Sequence, residues 1–338
     1  MRKFFLLIFF LPFAALAQSS EKLADSLRSG FRGLSVVNES VIWMSGRKGL
    51  VGVTTNCGSK WKWNQVKEFS TLDFRSLHAF DKSTAVMASA GTPAVILRTE
   101  NGGKKWKTCF RSDDSAMFFD GMAFWDAQHG LIFGDPVKGR IFLMETFDGG
   151  KSWKEIPFEE RPQTVEGEAA FAASGTTIRV LPDGHVWIAT GGAKARLFHS
   201  RDYGHHWEAH DTPMLQGKSS QGIFSVCFRD TMNGIIVGGD YAADSVRRDN
   251  CFITEDGGKT WRAPCISPGG YRSCVAFSPS GFWMATGTSG TDISYDGGVH
   301  WDAFEPRPGF NTVVAYKMYG EVFLAGSRKN KFEKLAFK

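Results

Sequence analysis

Three arginines occupy the same place in a repeated pattern, each directly after an aromatic residue that opens a unit: Phe31-Arg32, Phe74-Arg75 and Tyr271-Arg272. Guanidinium groups gathered around one opening hold a carboxylate through paired N–H donors, most strongly where water is partly excluded. The equivalent place in other units carries Asp120, Phe224 and Asn311, with Ala169 assigned to the fourth unit. Glu166 and Glu168 precede that fourth opening, Asp135 follows an apolar strand of the third unit, and Asp240 with Tyr241 follows one of the fifth. Two chemistries are open to this set. In one, the carboxylates pair with the arginines and fill a central channel with compensated charge. In the other, Arg32, Arg75 and Arg272 bind an acidic peptide or another carboxylate ligand, while Phe224, Tyr271 and Tyr241 supply apolar contacts.

Bringing such side chains to one opening requires a repeat, and the chain contains one. An eight-residue pattern recurs six times: Thr54 to Trp61, Thr99 to Trp106, Thr146 to Trp153, Ser200 to Trp207, Thr254 to Trp261 and Ser294 to Trp301. Its third position is Asn56, Asn101, Asp148, Asp202, Asp256 or Asp296, and a glycine always follows two residues later. These residues describe a self-supporting turn, in which the Asp or Asn oxygen accepts the turn's own amides, the Ser or Thr ties its base and the glycine permits positive φ. Asn replaces Asp twice without disturbing the pattern, so the carboxylates read as structural rather than ligand-binding. The tryptophans are 45, 47, 54, 54 and 40 residues apart, the length of a four-stranded propeller blade.

Before each turn run an aromatic-led strand, an apolar strand and a third strand. Phe171 marks the fourth opening least clearly, and a seventh unit begins at Phe310-Asn-Thr-Val313 but has no turn motif and lacks a last strand. The expected fold is therefore all-β, a seven-bladed β-propeller of four-stranded antiparallel blades, closed by an N-terminal strand around Leu23 to Leu27. Strand direction then puts the six turns on the bottom face, and the residue after each opening aromatic on the top.

Phe31-Arg-Gly-Leu-Ser-Val36, Gly134-Asp-Pro136 and Gly167-Glu-Ala-Ala-Phe-Ala-Ala-Ser174, together with the turns, resemble exported Asp-box propellers related to the photosystem II stability and assembly factor family. The likeness spans nearly all of the mature chain, and it implies a non-catalytic platform for a protein or peptide partner. Asp-box turns also occur in sortilin-like receptors and in sialidases. Resemblance to the latter implies an enzymatic alternative, with Arg32, Arg75 and Arg272 as a substrate clamp, Tyr271 or Tyr241 as nucleophile, Glu166 or Glu168 as its helper and Asp120 or Asp135 as acid. Against it, Phe31-Arg-Gly-Leu34 departs from the Arg-Ile-Pro of sialidases, and a seventh unit exceeds their six blades.

Arg2 and Lys3 precede an apolar run from Phe4 to Leu16, and Ala15-Leu-Ala17 has the small-x-small form of a signal-peptidase site. The reading is a signal peptide over residues 1–17 and a single propeller domain over 18–338, monomeric, periplasmic or secreted, with no membrane span after cleavage. The net charge of +5 falls by two with the signal, too little for a nucleic-acid binder. Dinucleotide loops, haem-attachment motifs and CxxC pairs are absent from the sequence, so no cofactor and no metal are expected. Among the six cysteines, Cys251 and Cys265 flank the fifth turn almost symmetrically and are the expected disulfide.

Overall fold

The computed structural model describes residues 30–304, 309–316, 321–326 and 332–336. It is a seven-bladed, all-β propeller of antiparallel sheets. Blade 1 runs from its innermost strand Phe31–Val36 to its outermost Lys62–Gln65, blade 2 from Phe74–Ala79 to Lys107–Ser112, and blade 3 from Phe119–Phe124 to Lys154–Glu155. Blade 4 extends from Ile178–Val180 to Glu208–Asp211, and blade 6 from Cys274–Phe277 to Asp302–Ala303. Blade 5 begins with the long strand Lys218–Phe228 and ends at Cys251–Thr254, its outer place taken by an Ile253–Arg262 bridge. Three described strands, Thr312–Ala315, Glu321–Ala325 and Phe332–Ala336, make blade 7. The segment expected to complete that blade, Leu23 to Leu27, and the signal at 1–17 lie outside the described residues.

Strand composition follows from position in the blade. Second strands such as Ile42–Gly46, Ala85–Ser89 and Trp283–Gly287 are buried at every residue, because each face of the sheet is covered by a neighbouring blade. They therefore read as unbroken apolar or small runs rather than as alternation. Outermost strands meet water and carry residues such as Lys107, Thr108 and Arg111, all exposed. The core is accordingly a set of clusters between blades: Trp43 and Val53 meet Met87 and Val95, Leu131 and Phe133 meet Val186 and Ile188, and Phe31 and Trp63 of blade 1 meet Phe323 of blade 7. That last cluster joins the two ends of the ring. Phe31 N–H also donates to the Gly326 carbonyl at 3.4 Å.

The six repeated turns share one hydrogen-bond scheme. In each, the Ser or Thr hydroxyl donates to the Asp or Asn oxygen at 2.8–3.1 Å and accepts, at 2.9–3.2 Å, the N–H of the glycine two residues after that Asp or Asn. Partial burial works against ionisation of Asp148, Asp202 and Asp256, yet the turn's own N–H and O–H donors outweigh it and bring all three carboxyls to about 2. That glycine faces the preceding blade: Gly103 lies on Trp43, Gly204 on Leu131, Gly258 on Leu197, Gly298 on Ile235, and Gly58 on Phe332 across the ring closure. At Trp106, Trp207, Trp261 and Trp301 the indole N–H then caps that glycine's carbonyl at 2.8–3.1 Å.

Cys251 and Cys265 correct the disulfide expectation, since both thiols are free, Cys251 buried and Cys265 exposed. The return strand pairs with Ile253 only at Arg262, and the chain then leaves blade 5, with the Cys265 N–H bonded to the Val299 carbonyl at 2.8 Å. The symmetry about the turn is thus not continued by a hairpin.

A Cβ on Gly258, where φ is +97°, would sit 2.5 Å from a Leu197 methyl, whereas one on Gly217, at φ +109°, meets nothing within 4 Å. Gly258→Ala should therefore lower the unfolding free energy by about 2–4 kcal/mol through strain and overpacking. Gly217→Ala should cost about 1–2 kcal/mol from the backbone alone. Urea denaturation compares them, and equal losses would contradict this account of blade packing.

Candidate functional site

The first strands of four blades contain the same irregularity. Pairing skips from Phe31 to Gly33, from Phe74 to Ser76, from Phe119 to Gly121 and from Ile223 to Ser225, which leaves Arg32, Arg75, Asp120 and Phe224 as extra residues at bulges. A bulge re-aims the unpaired residue. All four line one cavity of about 450 Å³ at the start of the first strands, together with Asp135, Tyr241, Tyr271 and Asn311. Seven of the eleven ligand-binding candidates, Arg32, Arg75, Asp120, Asp135, Phe224, Tyr271 and Asn311, thus meet at one place.

The other four do not line it. Arg272 is 2% exposed and pairs with Asp292 in the wall of blade 6, with Nη1 also donating to Ser289 Oγ at 2.7 Å. Blade 6 has no bulge there; Arg272 precedes the strand and its N–H bonds to Gly238 of blade 5 at 3.0 Å, which turns the side chain away from the axis. Glu168 is buried against Arg196 and accepts the Thr190 hydroxyl at 2.6 Å, while Glu166 is exposed outside the cavity. Asp240 caps its own turn by accepting Gln221 Nε2 at 3.0 Å and Ala242 N–H at 2.9 Å. The clamp therefore has two arginines. Neither glutamate lines the cavity beside Tyr271, and burial pushes that phenol well above its ordinary value.

Blade 4 also corrects the expected opening at Phe171 and Ala169. Its first strand begins at Ile178, and the preceding residues cross the ring instead. Ala170 N–H donates to Asp135 Oδ1 of blade 3 at 3.1 Å; the Ala172 carbonyl accepts Arg75 of blade 2 at 3.1 Å, and the Ala173 carbonyl accepts Arg32 of blade 1 at 2.7 Å. Ser174 Oγ then donates to Ser273 O of blade 6 at 2.7 Å, and the Thr176 and Ser225 hydroxyls of blades 4 and 5 meet at 2.7 Å. Phe171 stacks on Phe224 with centroids 4.0 Å apart, and Tyr271 meets the same ring edge-on at 4.8 Å. Small residues suit this crossing: a Cβ on Gly175 would already stand 3.0 Å from the Arg75 carbonyl. The run of alanines around one Phe was the signal in the sequence for this segment.

Charge in the cavity is unevenly compensated. Arg75 pairs with Asp73 at 2.8 Å, but Arg32 has no ion pair among the described residues. Burial and the adjacent Arg75 charge pull the Arg32 guanidinium below its ordinary value. Asp120 is completely buried with neither carboxyl oxygen hydrogen-bonded. Burial, followed by the neighbouring Asp135, raises it well above the usual carboxylate range; burial raises Asp135 too, against the Ala170 N–H that stabilises its charge. Asn311 closes the ring by donating Nδ2 to the Phe31 carbonyl at 2.7 Å.

Fold and cavity together define a seven-bladed propeller with a lined opening on the face away from its six repeated turns. Among solved structures, it is similar to YCF48 bound to a D1 peptide, with a TM-score of 0.65 and 13% identity over 92% of this chain and 94% of that one. YCF48 from Cyanidioschyzon merolae also gives 0.65, at 16% identity over 91% and 96%. The WD40 β-propeller domain of Doa1 gives 0.58, at 11% identity over 92% and 93%. These likenesses establish the fold. No family model and no curated protein matches the chain.

Removing Arg272 leaves Asp292 buried and unpaired, so Arg272→Ala should destabilise by about 3–5 kcal/mol in urea denaturation. Asp120 binds its proton more tightly in the folded state than the reference value of 3.8. Its contribution is complete below that value and is lost as pH rises through the raised folded value. Asp120→Asn should therefore flatten the fall in melting temperature as pH rises above about 4; an unchanged slope would contradict the assignment.

Proposed function

We propose that this chain is an exported, non-catalytic binding platform that receives a carboxylate-bearing segment of a peptide or protein partner at Arg32 and Arg75. The observation that carries this reading is Arg32, a half-buried guanidinium lining the cavity, which donates to the Ala173 carbonyl and makes no ion pair among the described residues. A cation held there without a carboxylate gains from an incoming anion, because each charge-assisted hydrogen bond contributes about 1.5–3 kcal/mol. Phe171, Phe224, Tyr241 and Tyr271 supply the apolar wall that such sites combine with a few polar groups. The likeness to YCF48 bound to a D1 peptide supports a peptide as the occupant.

Export rests on the N-terminal pattern, with cleavage after Ala17 and residues 18–338 as one monomeric domain in a periplasm or outside the cell. The repeated turns serve this domain as Asp boxes, fixing blades rather than ligands. Membership of the photosystem II assembly-factor group is part of the same proposal, carried by the resemblance of the turns and of Gly167 to Ser174. Among the described residues, no helix is long and apolar enough to cross a membrane.

Arg32→Ala tests the reading with little structural cost, since no carboxylate is left unpaired. Titration with an acetylated, amidated peptide containing one glutamate should show binding to the wild type and about a ten-fold or larger loss in the variant. The melting temperature should be unchanged within about 2 °C. Equal binding by both proteins would refute it.

A further inference from the structure

The cavity has two kinds of wall. Blades 1 and 2 present Arg32 and Arg75, of which Arg75 is offset by Asp73. Blade 3 presents Asp120 from a bulge in its first strand and Asp135 from its second. Asp135 takes one N–H, from Ala170, and makes no ion pair among the described residues. Asp120 takes none, although it is fully buried. Proteins almost always give a buried carboxyl a donor. The residue after Asp135 is Pro136, whose nitrogen carries no hydrogen and so donates to neither carboxyl. Among the described residues, the ionisable groups of the cavity left without a counter-ion are thus the Arg32 guanidinium and the Asp120 and Asp135 carboxyls.

We propose that Asp135 and Asp120 form a second subsite in this cavity for an ammonium or guanidinium group, so that the occupant is a peptide segment carrying a basic side chain beside an acidic one. The inference rests on the peptide-binding reading above and narrows it from an acidic ligand to a bipolar one. Asp135, only half-buried, makes the charged contact. The arriving cation favours ionisation of both carboxyls and supplies Asp120 with the counter-charge the protein withholds. A second acidic group on the ligand meets these carboxyls and is rejected, which makes Asp135 the specificity-determining residue. Phe224 and Tyr241, meeting edge-on at 6.0 Å, flank the route with apolar surface for the aliphatic stem of a lysine.

The test uses the full mature chain and four acetylated, amidated peptides identical except at two adjacent positions, Glu-Lys, Glu-Ala, Ala-Lys and Glu-Glu. Calorimetric titration should rank Glu-Lys about ten-fold tighter than Glu-Ala, and Glu-Glu weaker than both. Asp135→Asn keeps an oxygen for the Ala170 N–H and should erase the Glu-Lys advantage while leaving Glu-Ala binding at least as strong. Circular dichroism and melting temperature confirm that the variant is folded; should it not be, Asp135→Ser is read in its place. Equal affinities for Glu-Lys and Glu-Ala in the wild type, or an advantage that survives in the folded variant, overturn the subsite. Glu-Glu as the tightest peptide overturns it as well. Failure of every peptide, Glu-Ala included, overturns the peptide-binding reading beneath it, so the two failures are told apart by Glu-Ala alone.

Discussion

A sheet with apolar residues on both faces cannot stand in water, and the blades here are such sheets. Second strands such as Ile42–Gly46 and Ala85–Ser89 are buried along their whole length only because a neighbour covers either side. The close approach between neighbours is set at the repeated turn, where a glycine without a side chain lets the loop rest on the preceding blade and a tryptophan holds the glycine's carbonyl from behind. The joint between blades 1 and 7 obeys the same rule, with Gly58 on Phe332.

The cavity uses a different device, the bulge after the opening aromatic. A regular strand would send alternate residues to the two faces of the blade, towards its neighbours. The extra residue belongs to neither face and points along the ring's radius, which is how Arg32, Arg75, Asp120 and Phe224 reach common space from four separate sheets. Arg272 shows the converse: without a bulge it is drawn into the wall, where Asp292 compensates it.

Much of this was legible in the sequence because the repeated turn encodes its own geometry within eight residues. Blade number and the cavity position of Arg32, Arg75, Asp120 and Phe224 followed from aligning units. What failed depended on contacts between units. The Arg272 side chain turns on where its backbone N–H finds an acceptor, a carbonyl of another blade. The free thiols of Cys251 and Cys265 reflect a strand that leaves early for Val299, again a neighbour's choice. Gly167 to Ser174 was visible as an unusual run, yet its path across the ring is defined by partners on five blades and by nothing local.

That crossing segment changes what kind of container the propeller is. An open ring can be threaded, and a long polymer can slide through it from one face to the other. Here the chain's own Ala170 to Ser174 cross the ring, bonded to blades 1, 2, 3 and 6, and stand in the way of such a path, which makes the cavity a cup rather than a channel. A visitor must back out by the way it came. A long partner can lower only an end or a bent loop into the cup while the rest of it stays outside, and the time it remains is governed by the rim it crosses twice.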